Sequence, residues 1–284
     1  MRVAFATCAD LPGGWDDDQE AARLLGARFV VWDDPTVDWD AYDRVILRSV
    51  WDYSRRAPEF LAWCAAVGPE RLRNRPDLVA FDADKRYLGE LRAPTAPTTF
   101  VGPGDPLPEL AGEVVVKPNV SAGARDTGRF GPAAHAEALA LVERIRASGR
   151  VALVQAYLAD VDRDGETALV FIAGELSHVL RKRAVLRGEG VAPVAAGPMR
   201  VAAAMLEDDL VVAGGADAAQ RDFAGAVLAE VSELFGTPLY ARVDIAVDAD
   251  GRPVLMELEA IEPCLYFDAG PGSAERFARA VLSS

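Results

Sequence analysis

The chain has 284 residues, 51% hydrophobic and 26% charged, which describes a globular protein too apolar for disorder and long enough for about two domains. With 30 Lys and Arg against 44 Asp and Glu, the formal net charge is −14, which disfavours nucleic acid and anionic lipid as partners. No apolar run nears the roughly 18 residues of a membrane span. The opening MRVAFATCADLPGGWDDD does not read as a signal peptide, and Cys8, Cys64 and Cys264 read as reduced core residues of a cytoplasmic protein.

Along the chain, short apolar strands at 3–6, 28–32 and 44–47 alternate with helical patterns at 16–25 and 58–67, which predicts an α/β unit with a parallel sheet. A helix over 85–91 precedes the Pro- and Gly-rich stretch PTAPTTFVGPGDPLPEL (94–110), which reads as a linker. A small α+β module follows: a strand at 113–117, the loop PNVSAGARDTGRFG, a helix over 133–148 and a strand at 151–157. Beyond residue 166 comes a larger α+β unit. Strands at 167–173 and 176–182 flank a turn at Gly174-Glu175, a helix covers 218–235, strands at 240–247 and 253–258 flank DADG, and a helix at 274–282 closes the unit. The Gly-, Ala- and Pro-rich stretch 187–215 reads as a loop over the site.

The terminal hairpin ARVDIAVDADGRPVLMELEAIEP carries the strongest chemical signal. Side chains alternate along a strand, so Arg242 and Asp244 share one face of the first strand, and Glu257 and Glu259 one face of the second. Val243, Ile245, Met256 and Leu258 then face a core. Three crowded carboxylates call for a cation, and hard oxygen donors suit Mg²⁺ held with a phosphate substrate. A solvated sheet face shows the same alternation, so the pattern alone leaves both readings open. Lys117 ends an apolar strand ahead of Ser121, Ala122 and Gly123, a loop whose small residues let backbone approach phosphate oxygens. Neither GxxxxGK[ST] nor GxGxxG is present. Lys85 alone reads as a surface residue. Gln155, Tyr157 and Leu158 lead into a connector able to offer backbone groups to a purine, and Glu166 can accept bonds from ribose hydroxyls.

Taken in order, these signals resemble the ATP-grasp superfamily, of the glutathione synthetase-like kind, over nearly the whole chain. A narrower likeness, to the cyclo-ligases of D-cycloserine biosynthesis that act on O-ureido-D-serine, rests on LRSVWDYSRRAPEFLAW (47–63), DADKRYLGEL (82–91), VVVKPNVSAGARDT (114–127), GETALVFIAGELSHVLRK (165–182) and YARVDIAVDADGRPVLMELEAIEPCLYF (240–267). The ending ELEAIEPCLYF differs from the ExNxxPG ending of D-alanine–D-alanine ligases.

The resemblance implies an N-terminal parallel-sheet α/β domain (1–84), a central lid subdomain (85–157) and a C-terminal subdomain with the metal site (158–284), the last two clasping ATP. It places Lys85, Lys117, Ser121 and Gly123 on the phosphates, Gln155, Tyr157 and Leu158 on the adenine, and Glu166 on the ribose. Lys182 reaches the terminal phosphates, while Asp244, Glu257 and Glu259 hold Mg²⁺ or, in its place, Mn²⁺. Arg242 stabilises the oxyanion of an acyl transfer that proceeds through an acyl phosphate. The amino-acid-like substrate is expected against Arg48, Ser49, Trp51, Asp52 and Tyr53, which follow the third strand, although the two aromatics equally suit interface packing. Pro263, Cys264 and Tyr266 follow the metal strand and are further candidates. A homodimer is a further implication. Intermolecular amino-acid or peptide ligases, a small-molecule kinase and a non-catalytic ATP-binding protein share the layout. Two departures stand out: Glu259 occupies the position where the superfamily usually has Asn, and only GPMRV (197–201) matches the stretch where relatives have a substrate arginine.

Overall fold

The structure, a computed structural model, describes residues 1–197 and 199–284. Strands β1 (Val3–Thr7), β2 (Arg28–Val31), β3 (Arg44–Leu47) and β4 (Leu72–Arg73) form a parallel sheet in the order β2-β1-β3-β4. A second sheet contains β5 (Thr98–Val101), β6 (Val114–Pro118), β7 (Gly128–Phe130) and β8 (Ala152–Ala156). The third is built on β9 (Glu166–Ile172) and β10 (Glu175–Lys182); β11 (Gly190–Val191) leaves it to pair with β7. Strands β12 (Val211–Ala213), β13 (Tyr240–Val247) and β14 (Pro253–Glu259) complete it, in the order β12-β10-β9-β13-β14. The mixture of one parallel and two largely antiparallel sheets is the expected α/β plus α+β class. The chain's helices include α1 (Gln19–Leu25), α2 (Ala57–Val67), α3 (Pro76–Asp82), α4 (His135–Ala147), α5 (Val161–Asp164), α6 (Ala218–Phe235) and α7 (Ser273–Ser283).

The third sheet is apolar on both faces, and each face has its own cover. Helix α6 starts with a capping box between Asp217 and Gln220 and lays Val227, Leu228 and Val231 on Val243, Ile245, Leu255 and Leu258. The opposite face, with Ala168, Val170, Leu180 and Tyr240, packs on Phe5 of β1 and Phe277 of α7. Helix α7 thus covers the C-terminal unit's sheet, as the sequence suggests, and does a second job as well. It packs beside α1 and seals the first sheet onto the third.

Three expectations change. The stretch 94–110 is more than a linker, because Thr98–Val101 forms β5, an edge strand antiparallel to β8. The prolines on either side obscure it, since they need no ladder partner at an edge. The helix expected over 85–91 is a short 3₁₀ turn, Lys85–Gly89. The β9–β10 turn falls one residue earlier than expected, on Ala173 (φ 51°) and Gly174 (φ 85°), both left-handed as a two-residue hairpin turn requires.

The N-terminal unit is also fixed by polar bonds. Asn74, buried and left-handed (φ 24°), donates to the Tyr240 carbonyl at 2.8 Å and the Ala260 carbonyl at 2.6 Å, and accepts from the Leu239 amide at 2.8 Å. Replacing Asn74 by Ala orphans three buried backbone groups, each costing about 1–3 kcal/mol. Asn74→Ala should thus lower unfolding stability by roughly 3 kcal/mol or more in a denaturant titration. A loss below about 1 kcal/mol would show that this joint is held by apolar packing alone.

Candidate active site

The hairpin β13–β14 pairs Arg242 with Glu259 and Asp244 with Glu257. Val243, Ile245 and Leu258 enter the core as the alternation requires. Met256 instead lines the cavity beside the hairpin, where a register shift between Asp244 and Ile245 breaks the strict alternation. Asp244 is wholly buried. Its carboxylate accepts from Arg242 Nε at 2.7 Å, Arg242 Nη2 at 2.9 Å and Lys182 Nζ at 3.1 Å. Lys182 also meets Glu166 at 3.0 Å. Arg242 goes on to the Glu259 carboxylate and to the Cys264 carbonyl, the latter at 3.1 Å. Lys85 bridges Glu257 at 3.0 Å and the Ser121 carbonyl at 2.8 Å.

Burial alone would push these carboxyls up. For Asp244 the two cations outweigh burial and hold it well below the usual range. For Glu259 burial wins, reinforced by Glu257 and Asp244, and carries the carboxyl up to about 7. Burial also pulls the Lys117 amine down. Lys182 stays well above its usual value, because Glu166 and Asp244 overcome its burial.

These groups border one cavity of about 620 Å³ between the three sheets. All eight residues assigned to the nucleotide face it: Lys85, Lys117, Ser121, Gly123, Gln155, Tyr157, Leu158 and Glu166. Among the described residues Lys117 makes no ion pair, which leaves its ammonium for an incoming anion. Gln155 is buried and donates to Thr98 Oγ1 at 3.0 Å. The Tyr157 ring lies 3.7 Å beneath the Arg129 guanidinium, and its hydroxyl donates to Asp162 at 2.6 Å. Lys182, Arg242, Glu257 and Glu259 line the cavity too, while Asp244 sits behind them, committed to Arg242 and Lys182.

The substrate group divides. Trp51 and Tyr53 line the cavity, but Arg48, Ser49 and Asp52 do not. Arg48 is 2% exposed, pairs with Asp18 at 2.7 Å, donates to the Pro263 carbonyl at 2.8 Å and lies over the Tyr240 ring at 5.2 Å. Ser49 accepts from the Trp15 amide, and Asp52 accepts from Trp32 Nε1, both at 2.9 Å. These three brace the N-terminal unit; their polarity hides the fact that each is already partnered. Of the further candidates, Cys264 and Tyr266 face the cavity and Pro263 does not.

Sequence reasoning also missed residues. Val185 and Leu186, just before the stretch expected to overlie the site, and Val201, Met205 and Leu210 within it form an apolar wall of the cavity. The stretch is pinned by the Ala202 amide donating to the Gly123 carbonyl at 2.8 Å. Gly123 is left-handed (φ 63°), and a Cβ there would come within 2.5 Å of Val201. In GPMRV, Pro198 lies outside the described residues, Met199 and Val201 face the cavity, and Arg200 does not. Asp82 and Glu262 also line the cavity. Neither carries a strong sequence signal, since one ends a helix and the other lies in an irregular turn.

The N-terminal domain of D-cycloserine synthetase DcsG matches residues 3–74. The cycloserine biosynthesis protein DcsG of Streptomyces lavendulae is 37% identical over 278 residues, covering 92% of this chain and 90% of that one. This chain belongs to the DcsG family. The crystal structure of D-cycloserine synthetase DcsG superposes with a TM-score of 0.85 at 34% identity, covering 100% of this chain and 99% of that one. D-alanine–D-alanine ligase from Bacillus anthracis shares the fold, with a TM-score of 0.68 at 14% identity over 100% of this chain and 96% of its own. Two complexes share that fold at 14% identity: the same ligase with ATP (TM-score 0.59) and the ATP-grasp ligase PsnB with Mg and ADP (TM-score 0.55). The fold is thus ATP-grasp and the chain an ATP-dependent ligase.

Two outcomes follow from the site. Lys117→Met should raise the KM for ATP by roughly tenfold or more, as loss of a charge-assisted bond implies. Unfolding stability should stay within about 1 kcal/mol, because no ion pair is broken. Burial raises the Asp82 carboxyl to about 8, so the folded chain keeps a proton the unfolded chain sheds at lower pH. That contribution is complete below the ordinary carboxylate range and is lost as pH rises through about 8. Asp82→Asn should flatten the fall in stability between acid and mildly alkaline pH by on the order of 2 kcal/mol. Parallel stability profiles for the two proteins would refute it.

Proposed function

We propose that the chain is an intramolecular ligase acting on a small amino-acid derivative resembling O-ureido-D-serine, with a product of the D-cycloserine type. The observation that carries this reading is the single cavity running from Tyr157 and Leu158, past Lys117, Lys182 and Arg242, to Trp51 and Tyr53. One compartment with a phosphate-binding middle and a small aromatic end suits one nucleotide and one small substrate. Family membership supports the chemistry, since the matched relatives are named for cycloserine biosynthesis and D-cycloserine synthesis.

In this mechanism the substrate carboxylate attacks the γ-phosphorus of ATP, and ADP leaves. Lys117 and Lys182 hold the phosphate oxygens and offset charge on the transferred group. A nitrogen of the same molecule then attacks the acyl carbon, inorganic phosphate departs, and the nitrogen gives up a proton. Arg242, fixed by Asp244 and Glu259, offers its guanidinium to the oxyanion. Tethering nitrogen and carboxyl in one molecule makes the second step effectively unimolecular. The domain limits 1–84, 85–157 and 158–284 belong to this reading, with the substrate between the first and the last.

Among the described residues no three His, Cys, Asp or Glu stand as a preformed metal cage, because the carboxylates are spent on Lys85, Lys182 and Arg242. The donor set nevertheless fits Mg²⁺. Glu257 and Glu259 offer hard oxygens to the cavity. Asp244 would join them by yielding its bond to Lys182. When bound, Mg²⁺ supplies charge neutralisation on the phosphates, and Mn²⁺ has the same donor preference. Among the described residues no helix is long and apolar enough to cross a membrane. The reading includes a cytoplasmic setting, which the free cysteines suit, and a homodimer.

The test is ADP release by the purified protein with ATP and Mg²⁺, with and without O-ureido-D-serine, and the product followed by mass. Release should rise at least tenfold with that one compound and no added amine, giving a ring closed with loss of water, or the same ring freed of its carbamoyl group by hydrolysis. A requirement for a second amine would move the protein to the intermolecular ligases. Tight ATP binding without turnover on either would leave a nucleotide-binding protein with no ligase activity.

A further inference from the structure

Four acids on β9, β13 and β14 already have a cation. Glu166 and Asp244 meet Lys182, Glu259 meets Arg242, and Glu257 meets Lys85. At the end of the cavity nearest Trp51 and Tyr53 the pattern breaks. Asp82, the last residue of α3, and Glu262, three residues beyond β14, both line the cavity, and among the described residues neither forms an ion pair. Asp82 is 8% exposed. Its Oδ2 accepts from the Ala260 amide at 2.8 Å, while its Oδ1 is buried with no hydrogen-bond partner. Glu262 uses its backbone carbonyl to accept from Trp51 Nε1 at 3.2 Å and leaves its carboxyl to the cavity. Lys85 is near both, but its ammonium is spent on Glu257 and the Ser121 carbonyl.

Two carboxyls with no cation beside an aromatic-walled recess are costly to ionise unless a cation joins them. Resting on the ligase reading above, the geometry points to Asp82 and Glu262 as the subsite that receives the substrate's ammonium group, walled by Trp51 and Tyr53. A compact ammonium with three donors can meet both carboxyls at once, and the ring faces add cation–π attraction. The location suits an α-amino acid, whose nitrogen and carboxylate share one carbon. Glu262 stands two residues before Cys264, whose carbonyl accepts from Arg242 at 3.1 Å, so the ammonium and oxyanion ends lie on one short segment. Both carboxyls are raised by burial first, as expected of a recess awaiting its counter-charge. Tyr53 lies within the field of both. The subsite thus selects substrates with a free amino group and rejects neutral or anionic isosteres.

The test compares O-ureido-D-serine with the same compound bearing a hydroxyl in place of its amino group, by ADP release from the wild type, Glu262→Gln and Asp82→Asn. The wild type should favour the amine by roughly 100-fold in kcat/KM, the worth of a charge-assisted pair of contacts. Glu262→Gln should cut that preference to below roughly tenfold through the KM of the amine, leaving the KM for ATP and the Mg²⁺ midpoint unchanged. Asp82→Asn should act in the same direction and serves if the Glu262 variant does not fold. An undiminished preference in soluble, ATP-binding variants would overturn the assignment. So would a shifted Mg²⁺ midpoint with the preference intact, which would make the recess a second cation site. Equal use of both compounds by the wild type overturns the ammonium subsite while sparing the ligase reading. No substrate-dependent ADP release from the wild type with either compound defeats the ligase reading and the subsite together.

Discussion

The site depends on one buried charge, the Asp244 carboxylate. It sits on the middle of β13 and is wholly removed from water, so it must be held by cations or abandon its charge. Arg242 and Lys182 hold it, and in doing so each fixes its own head group. The register explains how a lysine from β10 gets there. Lys182 stands opposite Glu166, and Asp244 stands opposite Ala168 two residues further along β9. The small Ala168 leaves β9 low between the two, so Lys182 can cross it. A pair of cations otherwise strongly hydrated is thus aimed into the cavity before any ligand arrives, which is electrostatic preorganisation in its plainest form.

The same sheet face does two jobs. At one end it bears Glu166, Lys182, Asp244 and Arg242, and at the other it bears Val170, Leu180 and Tyr240, sealed against Phe5 and Phe277. Substrate recognition and the joint between the first and third sheets are therefore neighbours on one surface. The Arg48–Asp18 pair lies at that boundary, under Tyr240 and bonded to the Pro263 carbonyl. Positions next to the substrate end are thus occupied by groups whose task is to fix its walls.

What could be read from the residues was what repeats locally. The two-residue alternation of Arg242, Asp244, Glu257 and Glu259 specifies a shared face without knowledge of the rest of the chain, and the hairpin obeys it up to the bulge. Lys117, at the end of an apolar strand, reads by itself as a surface residue, and only the fold brings it to the cavity. Arg48, Ser49 and Asp52 misled because polarity next to a strand end looks the same whether its partner is a ligand or another part of the protein; Asp18, Trp15 and Trp32 are invisible at that range. The apolar wall from Val185 to Leu210 was hidden in and just before a Gly-, Ala- and Pro-rich stretch, since its residues are apolar at no fixed period. Asp82 and Glu262 are conspicuous by lining the cavity without a cation, a property that exists only once the chain is folded.

Helix α7 gives the molecule an order of assembly. Phe5 on β1 leaves the ribosome more than two hundred residues ahead of Phe277, which packs in the same cluster. Synthesis runs at about 5–20 residues per second, so the first sheet spends on the order of ten seconds or more with one apolar flank uncovered. The first sheet is completed only when α7 has been made. The arrival of α7 ends that exposure and closes the wall behind the candidate site.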